Sequence, residues 1–329
     1  MTVQLVVPAG FEELPSGGNV YDRRVRAGLV GLGWDLVTHE VEQGGPLPEL
    51  PPGSLALVDS LVVSWAAEAL LASGAVPVPL VHMAFGTPGE REVLAAAPAV
   101  VTTSGWTRRW LVEHYRLDAG RVHVAVPGVD ISDPVAGTSA GGELLCVASV
   151  LPAKGQDVLL AALTALTDLD WRCTLVGSLD LDPDFVDTLH KAAADGGIAD
   201  RVVFAGALPH DEVRAAYAGA DALVLPSRSE SYGMVVTEAL AHGLPVVASS
   251  VGGVPEALGH GDDGSVPGLL VRPDDPAALA GALRRWLEDP RRRQRLRRSA
   301  GLRRMTLPSW SRTTAHVAAA LEAALERAR

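Results

Sequence analysis

The sequence repeats one pattern along its whole length: a short apolar run, a loop, and an amphipathic stretch with helical spacing. The apolar runs are nearly continuous in valine, leucine and alanine, which is typical of strands buried on both faces of a parallel sheet. Strands that alternate with helices favour a doubly wound α/β fold. The predicted strands are VQLVVP, GSLALVD, VPVPLVH, AVVTTS and RVHVAV in the first half, and ELLCVAS, WRCTLVG, RVVFAG, DALVLPS, LPVVASS and GLLVRP in the second.

Between the two halves lies DISDPVAGTSAGGE, residues 130–143, which is rich in Gly, Ser and Pro and is typical of a linker. We therefore predict two doubly wound, Rossmann-like domains facing each other across a cleft. Ligands of such folds bind at the carboxyl ends of the strands. The predicted domains are 1–135 and 136–305. Residues 306–329 carry apolar side chains at helical spacing and are predicted to form a terminal helix.

Composition excludes several classes of protein. The 329 residues carry a net charge of −11, which disfavours non-specific binding to nucleic acid. Cys146 and Cys173 lie inside apolar runs and are predicted to be buried, reduced thiols. We expect a cytoplasmic protein, because the sequence has neither a basic leader nor a run of 18 apolar residues without charge or proline.

Positive charge is concentrated near the end of the chain, where ten arginines lie between Arg284 and Arg304. With Glu288 and Asp289, this stretch has a net charge of +8 (10 − 2). A basic helical face can contact an anionic membrane surface, although more often it is simply solvated. Peripheral membrane contact is therefore kept as an alternative.

The segment SRSESYGMVVTEALAHGLPVVAS, residues 227–249, places two glutamates around one glycine. It is predicted to be a loop, a helix closed by Gly243, and a strand. The helix N-terminus is a ready site for an anion, and Gly233 lets the backbone approach a ligand. Glu230 and Glu238 flank that site. Carboxylates beside a phosphate suit the hydroxyls of a nucleotide sugar, although the two glutamates could also merely cap the helix.

This segment resembles the signature of the family-4 retaining glycosyltransferases, which have the GT-B fold. VASVLPAKGQDVLLAAL, RVVFAGALPHDEVRAAYAGADALVLPS and AVVTTSGWTRRWLVEHYRLDAGRVHVAVPGVD are similar to further family motifs, so the likeness covers about residues 98–290. The resemblance implies a retaining hexosyltransferase with front-face attack. It also implies a nucleotide-sugar donor, with UDP- or GDP-sugar favoured, a hydroxyl acceptor, no cofactor and no required metal. The terminal helix would cross back onto the first domain.

The resemblance also implies roles for single residues of the second half. Glu230 would bind hydroxyls of the transferred sugar, and Glu238 would bind the ribose diol. The backbone amides of Gly233, Met234 and Val235 would hold the distal phosphate and the sugar.

Two further positions concern the diphosphate. Lys154 would neutralise it and assist its departure, a role that suits a compact cation. Ser149 stands where the family often has an arginine, so other charges must balance the phosphates. Leu208, in the GALPH segment, would lie along the nucleotide base.

The first half offers a glycine-rich segment, LPSGGNVYDRR, after the first strand. Gly18 would let this loop approach the donor phosphate. Asn19, Tyr21 and Asp22 are then candidates for contact with the acceptor. The alternative is a plain turn in which Asn19 caps the next helix.

His82 follows a buried strand of the first half, and the resemblance implies that it contacts the transferred sugar. We group it with Lys154 and Glu230 as the candidate catalytic residues. No spacing typical of metal ligands was found in the sequence. The alternatives kept open are an epimerase of the same fold and a non-catalytic binding protein. A dehydrogenase is less favoured because no G-x-G-x-x-G follows the first strand.

Overall fold

The computed structural model describes residues 2–14 and 16–328, so that Pro15 of the glycine-rich segment lies outside the described residues. The chain divides into two compact units, Met1–Gly128 with Pro308–Arg329, and Val129–Leu307. Each unit contains one sheet of six parallel strands. The prediction of two doubly wound α/β domains is therefore confirmed.

The first unit contains one six-stranded sheet, and candidate residues lie near the carboxyl ends of its strands. The strands are β1 Thr2–Pro8, β2 Asp35–Val41, β3 Leu55–Asp59, β4 Val76–Val81, β5 Val100–Thr102 and β6 Val122–Val124. The connecting helices are α1 Gly17–Gly31, α2 Ser60–Ala72, α3 Pro88–Ala96 and α4 Gly105–Tyr115. The strand order β2-β1-β3-β4-β5-β6 places the ends of β1, β3 and β4 side by side.

The second unit has the strand order β12-β11-β10-β7-β8-β9, the order of a Rossmann fold. The strands are β7 Glu143–Val147, β8 Arg172–Val176, β9 Val202–Gly206, β10 Ala222–Leu225, β11 Val246–Ser249 and β12 Gly268–Val271. The helices are α5 Gln156–Thr164, α6 Pro183–Asp195, α7 His210–Gly219, α8 Met234–Ala241, α9 Val254–Leu258, α10 Pro276–Glu288 and α11 Pro290–Arg304. The order reverses at β7 and β10, whose carboxyl ends carry the loops of Lys154 and Glu230.

Of the observed strands, β2 was not predicted. Its sequence DLVTHEV lies at the edge of the first sheet and mixes half-buried with exposed positions. Such a strand lacks the continuous apolar run that marks a strand buried on both faces.

The last helix, α12 Trp310–Ala328, belongs to the first unit. Its Val317 and Leu321 are fully buried in the same apolar cluster as Leu29 of α1. The two helices are closely packed, because a Cβ at Gly28 would lie 2.1 Å from Thr314 Oγ1. The chain changes unit at 128/129 and at 307/308, whereas the predicted boundaries were 135/136 and 305/306.

Residues 130–142 form neither helix nor strand, and polar contacts bind this segment to the second unit. Asp221, which is fully buried, accepts hydrogen bonds from Thr138 N, Thr138 Oγ1 and Glu143 N at 2.5, 2.6 and 3.0 Å. Arg297 contacts the same carboxylate at 2.7 Å. The segment has few apolar residues, so polar contacts to the second unit hold it in place.

The arginine-rich stretch covers the end of α10 and all of α11, and much of its charge faces the protein. Arg293 is 6% exposed and donates to backbone carbonyls at the end of α10 and in the 130–143 segment. Arg304 donates to Ser132 O and Ala241 O. Peripheral membrane contact stays a prediction, and it would rest on fewer charges than the sequence count suggests. The exposed arginines are Arg285, Arg291, Arg295 and Arg298.

Two smaller predictions concern burial and the membrane. Cys146 and Cys173 are buried free thiols, as predicted. Among the described residues, no helix combines the length and the apolar character needed to cross a membrane.

Candidate active site

The loop between β10 and α8 lies at the carboxyl edge of the second sheet. Gly233, the residue before the helix, has a φ of +90°, a left-handed conformation that favours glycine. No side chain caps α8. The alternative in which Glu230 and Glu238 merely cap this helix is therefore wrong. Met234 and Val235, both partly exposed, are the first two residues of the helix, where N–H groups have no partner within the helix.

Glu230 is held through one oxygen. Its Oε1 accepts hydrogen bonds from Lys154 Nζ at 2.8 Å and from Ser227 Oγ at 2.9 Å. Gly253 N donates to the backbone carbonyl of Glu230 at 3.1 Å, and a Cβ at Gly252 would lie 1.6 Å from that same oxygen. The glycine pair therefore packs directly against the loop and sets the position of Glu230.

Glu238, the fifth residue of α8, is half-buried and is held by an aromatic side chain. Tyr217 of α7 is 2% exposed and donates its hydroxyl to Glu238 Oε2 at 2.9 Å. Burial raises the pKa of Glu238, while the Tyr217 hydrogen bond and the nearby His210 oppose that rise. The Tyr217 ring is stacked on His242 with 5.0 Å between the ring centroids, which fixes the phenol in turn.

Lys154 ends a short 3₁₀ turn, Pro152–Lys154, that leads into α5. Gly155 follows with a φ of +70°, and a Cβ there would lie 2.3 Å from Pro226 O. Only glycine allows the Lys154 turn to lie this close to the loop after β10. The lysine ammonium, 29% exposed, and the Glu230 carboxylate, 13% exposed, are thus brought together from two loops.

Arg228 joins the same two loops. Its guanidinium makes two hydrogen bonds to Asp157, at 2.8 and 2.7 Å, and one to Asp274 at 2.6 Å. Its backbone N–H donates to Ala153 O at 2.9 Å, one residue before the lysine. A planar guanidinium suits such two-point contact with a carboxylate. Arg228 therefore orients the turn that carries Lys154.

Ser149 and Leu208 lie near the ends of β7 and β9. The carbonyl of Ser149, a half-buried residue, accepts a hydrogen bond from the buried Gln156 side chain at 3.0 Å. Leu208 is half-buried in the loop that joins β9 to α7. Arg228 contacts the Lys154 turn and could replace the arginine that the family often has at Ser149, but its guanidinium is already bound by Asp157 and Asp274. The roles of Ser149 and Leu208 toward a donor stay predictions.

In the first unit, a histidine side chain lies next to two aspartate side chains. His82 directly follows β4, Asp59 ends β3, and Asp22 lies in α1. His82 Nε2 is 2.8 Å from Asp22 Oδ1 and 3.6 Å from Asp59 Oδ2. The His82 side chain is 15% exposed, whereas each carboxyl group is 1% exposed. A Cβ at Gly18 would lie 3.3 Å from the His82 ring, so this glycine lets α1 approach it.

Asp22, Asp59 and His82 form one cluster. Burial and neighbouring charges shift the pKa of Asp59 and the pKa of His82. Burial raises the pKa of Asp59 to about 7, the charge of Asp22 adds to the rise, and His82 opposes it. Burial lowers the pKa of His82, but the two carboxylates outweigh that effect, so the pKa is raised overall. The three groups are also close enough to hold a metal ion. No spacing in the sequence indicates this cluster, because Asp22 and His82 are 60 positions apart.

Two of the predicted acceptor contacts point into the protein. Ser16 caps α1 by accepting from Asn19 N, so the alternative of a plain turn in which Asn19 caps this helix is wrong. The Asn19 side chain donates to Leu14 O at 3.1 Å. Tyr21 is fully buried and donates its hydroxyl to Ala125 O at 2.8 Å. We therefore leave Asn19 and Tyr21 out of the proposed acceptor site, while Asp22 lies beside His82.

Comparison with known families decides the classification. The family model for glycosyl transferases group 1 matches residues 139–303, which is 165 of the 329 residues. This chain belongs to that family. The match contains the loops of Lys154, Glu230 and Glu238, whose geometry is described above.

Relatives with a similar sequence are named as glycosyltransferases. The D-inositol 3-phosphate glycosyltransferase of Thermomonospora curvata is 36% identical over 270 residues, which is 75% of this chain and 61% of that one. The enzyme of the same name from Frankia alni is 38% identical over 226 residues, or 63% of this chain and 54% of that one. The chain thus spans less than two thirds of the length of these relatives.

Solved structures show the same GT-B fold. The sucrose-phosphate synthase of Thermosynechococcus elongatus matches with a TM-score of 0.82 at 21% identity, covering 98% of each chain. Anabaena HepE, crystallised with UDP-glucose, matches with a TM-score of 0.79 at 20% identity, covering 98% of this chain and 99% of that one. At these identities the likeness shows the fold alone.

The structure of this member of the group 1 family adds residues that no pattern in the sequence predicted. Tyr217 and Arg228 act on Glu238 and on the Lys154 turn through side-chain contacts across the fold, and no local pattern marks them. Asp59 looked like an ordinary strand end. The glycine pair in SSVGGVPEAL was the one available signal, because two adjacent glycines often mark a close approach of backbones.

Proposed function

We propose that this chain transfers a sugar from a nucleotide-sugar donor to a hydroxyl acceptor, with retention of the anomeric configuration and without a required metal ion. The observation that carries the proposal is the Lys154–Glu230 ion pair, 2.8 Å long, at the uncapped N-terminus of α8. A cation and a helix N-terminus suit a diphosphate, and a carboxylate suits hydroxyl groups. One site therefore carries the chemistry for both parts of a nucleotide sugar.

In this proposal the donor lies across the carboxyl edge of the second sheet. The backbone amides of Met234 and Val235 bind the distal phosphate, and Lys154 balances its charge. Glu238, fixed by Tyr217, accepts hydrogen bonds from the ribose diol. Glu230 accepts hydrogen bonds from the transferred sugar through Oε2, since among the described contacts only Oε1 is used.

The proposed reaction forms a bond between the acceptor oxygen and the anomeric carbon while the bond from that carbon to the phosphate oxygen breaks. The nucleoside diphosphate leaves with the bonding electrons and takes the acceptor proton, so both reactions occur on one face of the sugar. Lys154 and the helix N-terminus stabilise the charge that grows on the phosphate. Positive charge from the protein thus takes the part that a metal ion has in other transferases.

The comparisons suggest which substrates to test first. Relatives are named for D-inositol 3-phosphate, and HepE was crystallised with UDP-glucose. We therefore propose a UDP-sugar as the first donor, GDP-sugars as the next, and D-inositol 3-phosphate as the first acceptor.

The test begins with a thermal-shift screen of the purified protein against UDP-, GDP-, ADP- and TDP-sugars. A ligand at 100 times its Kd should add about 2.7 kcal/mol of stability. The best donor is then incubated with D-inositol 3-phosphate in EDTA, and the anomeric configuration of the product is read by NMR. Release of nucleotide with an isomerised sugar in the absence of acceptor would indicate an epimerase instead. Binding without turnover on a panel of polyols and sugars would indicate a binding protein.

A further inference from the structure

The cluster of Asp22, Asp59 and His82 contains a polar atom without a partner. Asp22 is 1% exposed, and its Oδ2 is shielded from water without a hydrogen bond. Asp59 already uses Oδ1 as the N-cap of α2, where it accepts from Leu61 N at 2.5 Å. Buried carboxylate oxygens normally find a donor. Oδ2 of Asp22 therefore requires either a proton of its own or a bound cation.

Charge balance indicates where the protons are. Two ionised carboxylates beside a neutral imidazole would place two negative charges in a shielded site, which is costly. One proton on the imidazole and one shared by the carboxyl groups make the cluster neutral. Burial and the charge of Asp22 are the two largest causes that raise the pKa of Asp59.

The other groups around the ring do not change this balance. The Tyr21 ring lies edge-on to His82 with 5.1 Å between the centroids, and burial raises the pKa of its phenol well above the usual value, so it stays neutral. Ser60 Oγ, at the start of α2, accepts from the backbone N–H of His82 at 3.2 Å. The charged neighbours of the ring are therefore Asp22 from α1 and Asp59 from the end of β3.

We propose that Asp22 and Asp59 share one proton and hold His82 as an imidazolium, so that His82 serves as a fixed hydrogen-bond donor to a ligand oxygen and not as a general base. Nε2–H donates to Asp22, and Nδ1 enters no described hydrogen bond, so Nδ1–H is the group offered to the ligand. Asp22 and Asp59 are positioning residues. This inference rests on the proposed sugar transfer and deepens it, since an imidazolium cannot accept the acceptor proton.

The first test needs no substrate. NMR titration of the ligand-free protein measures the midpoint of His82 protonation, with His82→Gln used to assign its resonance. Asp22→Asn should lower that midpoint by about 1 to 3 pH units, the usual effect of a charge at this distance. Asp118→Asn, a matched change at an exposed cap of the same unit, should leave it in place. An unchanged midpoint in Asp22→Asn, or a wild-type His82 already neutral at pH 6, would overturn the proposal.

The second test uses the sign of the pH dependence. Because Nε2–H is donated to Asp22, Nδ1 can donate only while the ring is an imidazolium. The value of kcat/KM should therefore fall as pH rises through the His82 midpoint, and Asp22→Asn should move this fall to lower pH. A general base would give the opposite limb, with activity rising through the same midpoint. His82→Asn, whose amide can imitate Nδ1–H but cannot act as a base, should keep more activity than His82→Ala. A rising limb, or equal loss in both variants, contradicts the donor role.

A divalent cation is the rival occupant of the cluster. The NMR titration is therefore repeated after EDTA dialysis and with one equivalent of Mg²⁺ or Zn²⁺, with metal content measured in parallel. The proposal expects no retained metal and the same His82 midpoint. Stoichiometric metal that is lost in Asp22→Asn would overturn the shared proton. Neither result depends on sugar transfer, so failure of this inference can be separated from failure of the proposed function.

Discussion

At the scale of single residues, Glu230 and Lys154 form an ion pair with each other. The ion pair uses Glu230 Oε1 and the lysine ammonium, which are the charges that a sugar and a diphosphate would need. Binding of the proposed donor therefore requires Lys154 to exchange one anionic partner for another. This exchange makes the two glutamates behave differently toward a bare nucleotide.

We expect Glu230→Gln to bind bare UDP as tightly as the wild type or several-fold more tightly, because Lys154 loses its competing carboxylate. The same variant should bind the sugar nucleotide less well and turn over slowly. Glu238→Ala should instead weaken UDP and the UDP-sugar alike, by about 1.5–3 kcal/mol, since the ribose belongs to both. Calorimetry with both ligands measures this. Parallel losses of UDP affinity in the two variants would contradict the assignment.

Lys154→Ala should lower kcat more than it weakens donor binding, because the charge on the leaving diphosphate grows in the transition state. Lys154→Arg should restore only part of the activity, since a planar guanidinium does not superimpose on a compact ammonium. Steady-state kinetics and calorimetry separate the two effects. Full activity in Lys154→Ala would mean that another cation holds the phosphates, and Arg228, which binds the Lys154 turn, is the first candidate.

At the scale of elements, arginines and one buried aspartate hold together parts of the second unit that lack apolar residues. Asp221 precedes β10 and binds the 130–143 segment on one side and Arg297 of α11 on the other. Contacts with Asp221 and, through it, with α11 thus hold residues 130–143 in place. The arginine-rich helix is better explained by this structural role than by solvation alone.

Asp221→Ala should destabilise the protein by about 3 kcal/mol, because it leaves the N–H groups of Thr138 and Glu143 without their acceptor and Arg297 without its partner. Thermal or urea unfolding measures the loss. Asp168→Ala is the matched control, since Asp168 pairs with Arg284 on the exposed surface and its loss should destabilise the protein far less. Equal losses in the two variants would mean that the segment does not depend on Asp221.

At the scale of the whole molecule, the chain ends in the unit where it begins. Helix α12 supplies Val317, Leu321 and Ala324 to the core of the first unit, all fully buried. The last helix is therefore part of the first core and not an addition to the second sheet. Loss of the C-terminal helix should act on the unit that contains His82.

Truncation after Leu307 should expose apolar surface of the first unit, raise binding of a hydrophobic dye and abolish transfer. Nucleotide binding by Val129–Leu307 should remain close to that of the wild type, because the residues proposed to bind the nucleotide, Lys154, Met234, Val235 and Glu238, lie in that unit. Calorimetry with UDP and a dye-binding assay check both halves of the statement. A truncated protein that binds UDP no better than Glu238→Ala would show that the tail supports the donor site.

The sequence by itself determined the class of fold and the main loops of the candidate site in the second unit. Eleven of the observed strands follow from apolar runs, because a strand buried on both faces must be apolar along its length. Gly233, Glu230 and Glu238 could be placed together, because they are separated by a few residues at one strand–helix junction. Such neighbours are fixed by local geometry before any packing occurs.

Only the tertiary structure decided which charges meet across the fold. The contacts of Tyr217 with Glu238, of Arg297 with Asp221, and of Asp22 with His82 join residues 21, 76 and 60 positions apart. A single sequence gives no distance between such groups, since the energy of a buried charge depends on which side chains surround it. The same reason explains the 130–143 segment: its composition predicts a linker, and the buried carboxylate of Asp221 gives it a fixed place.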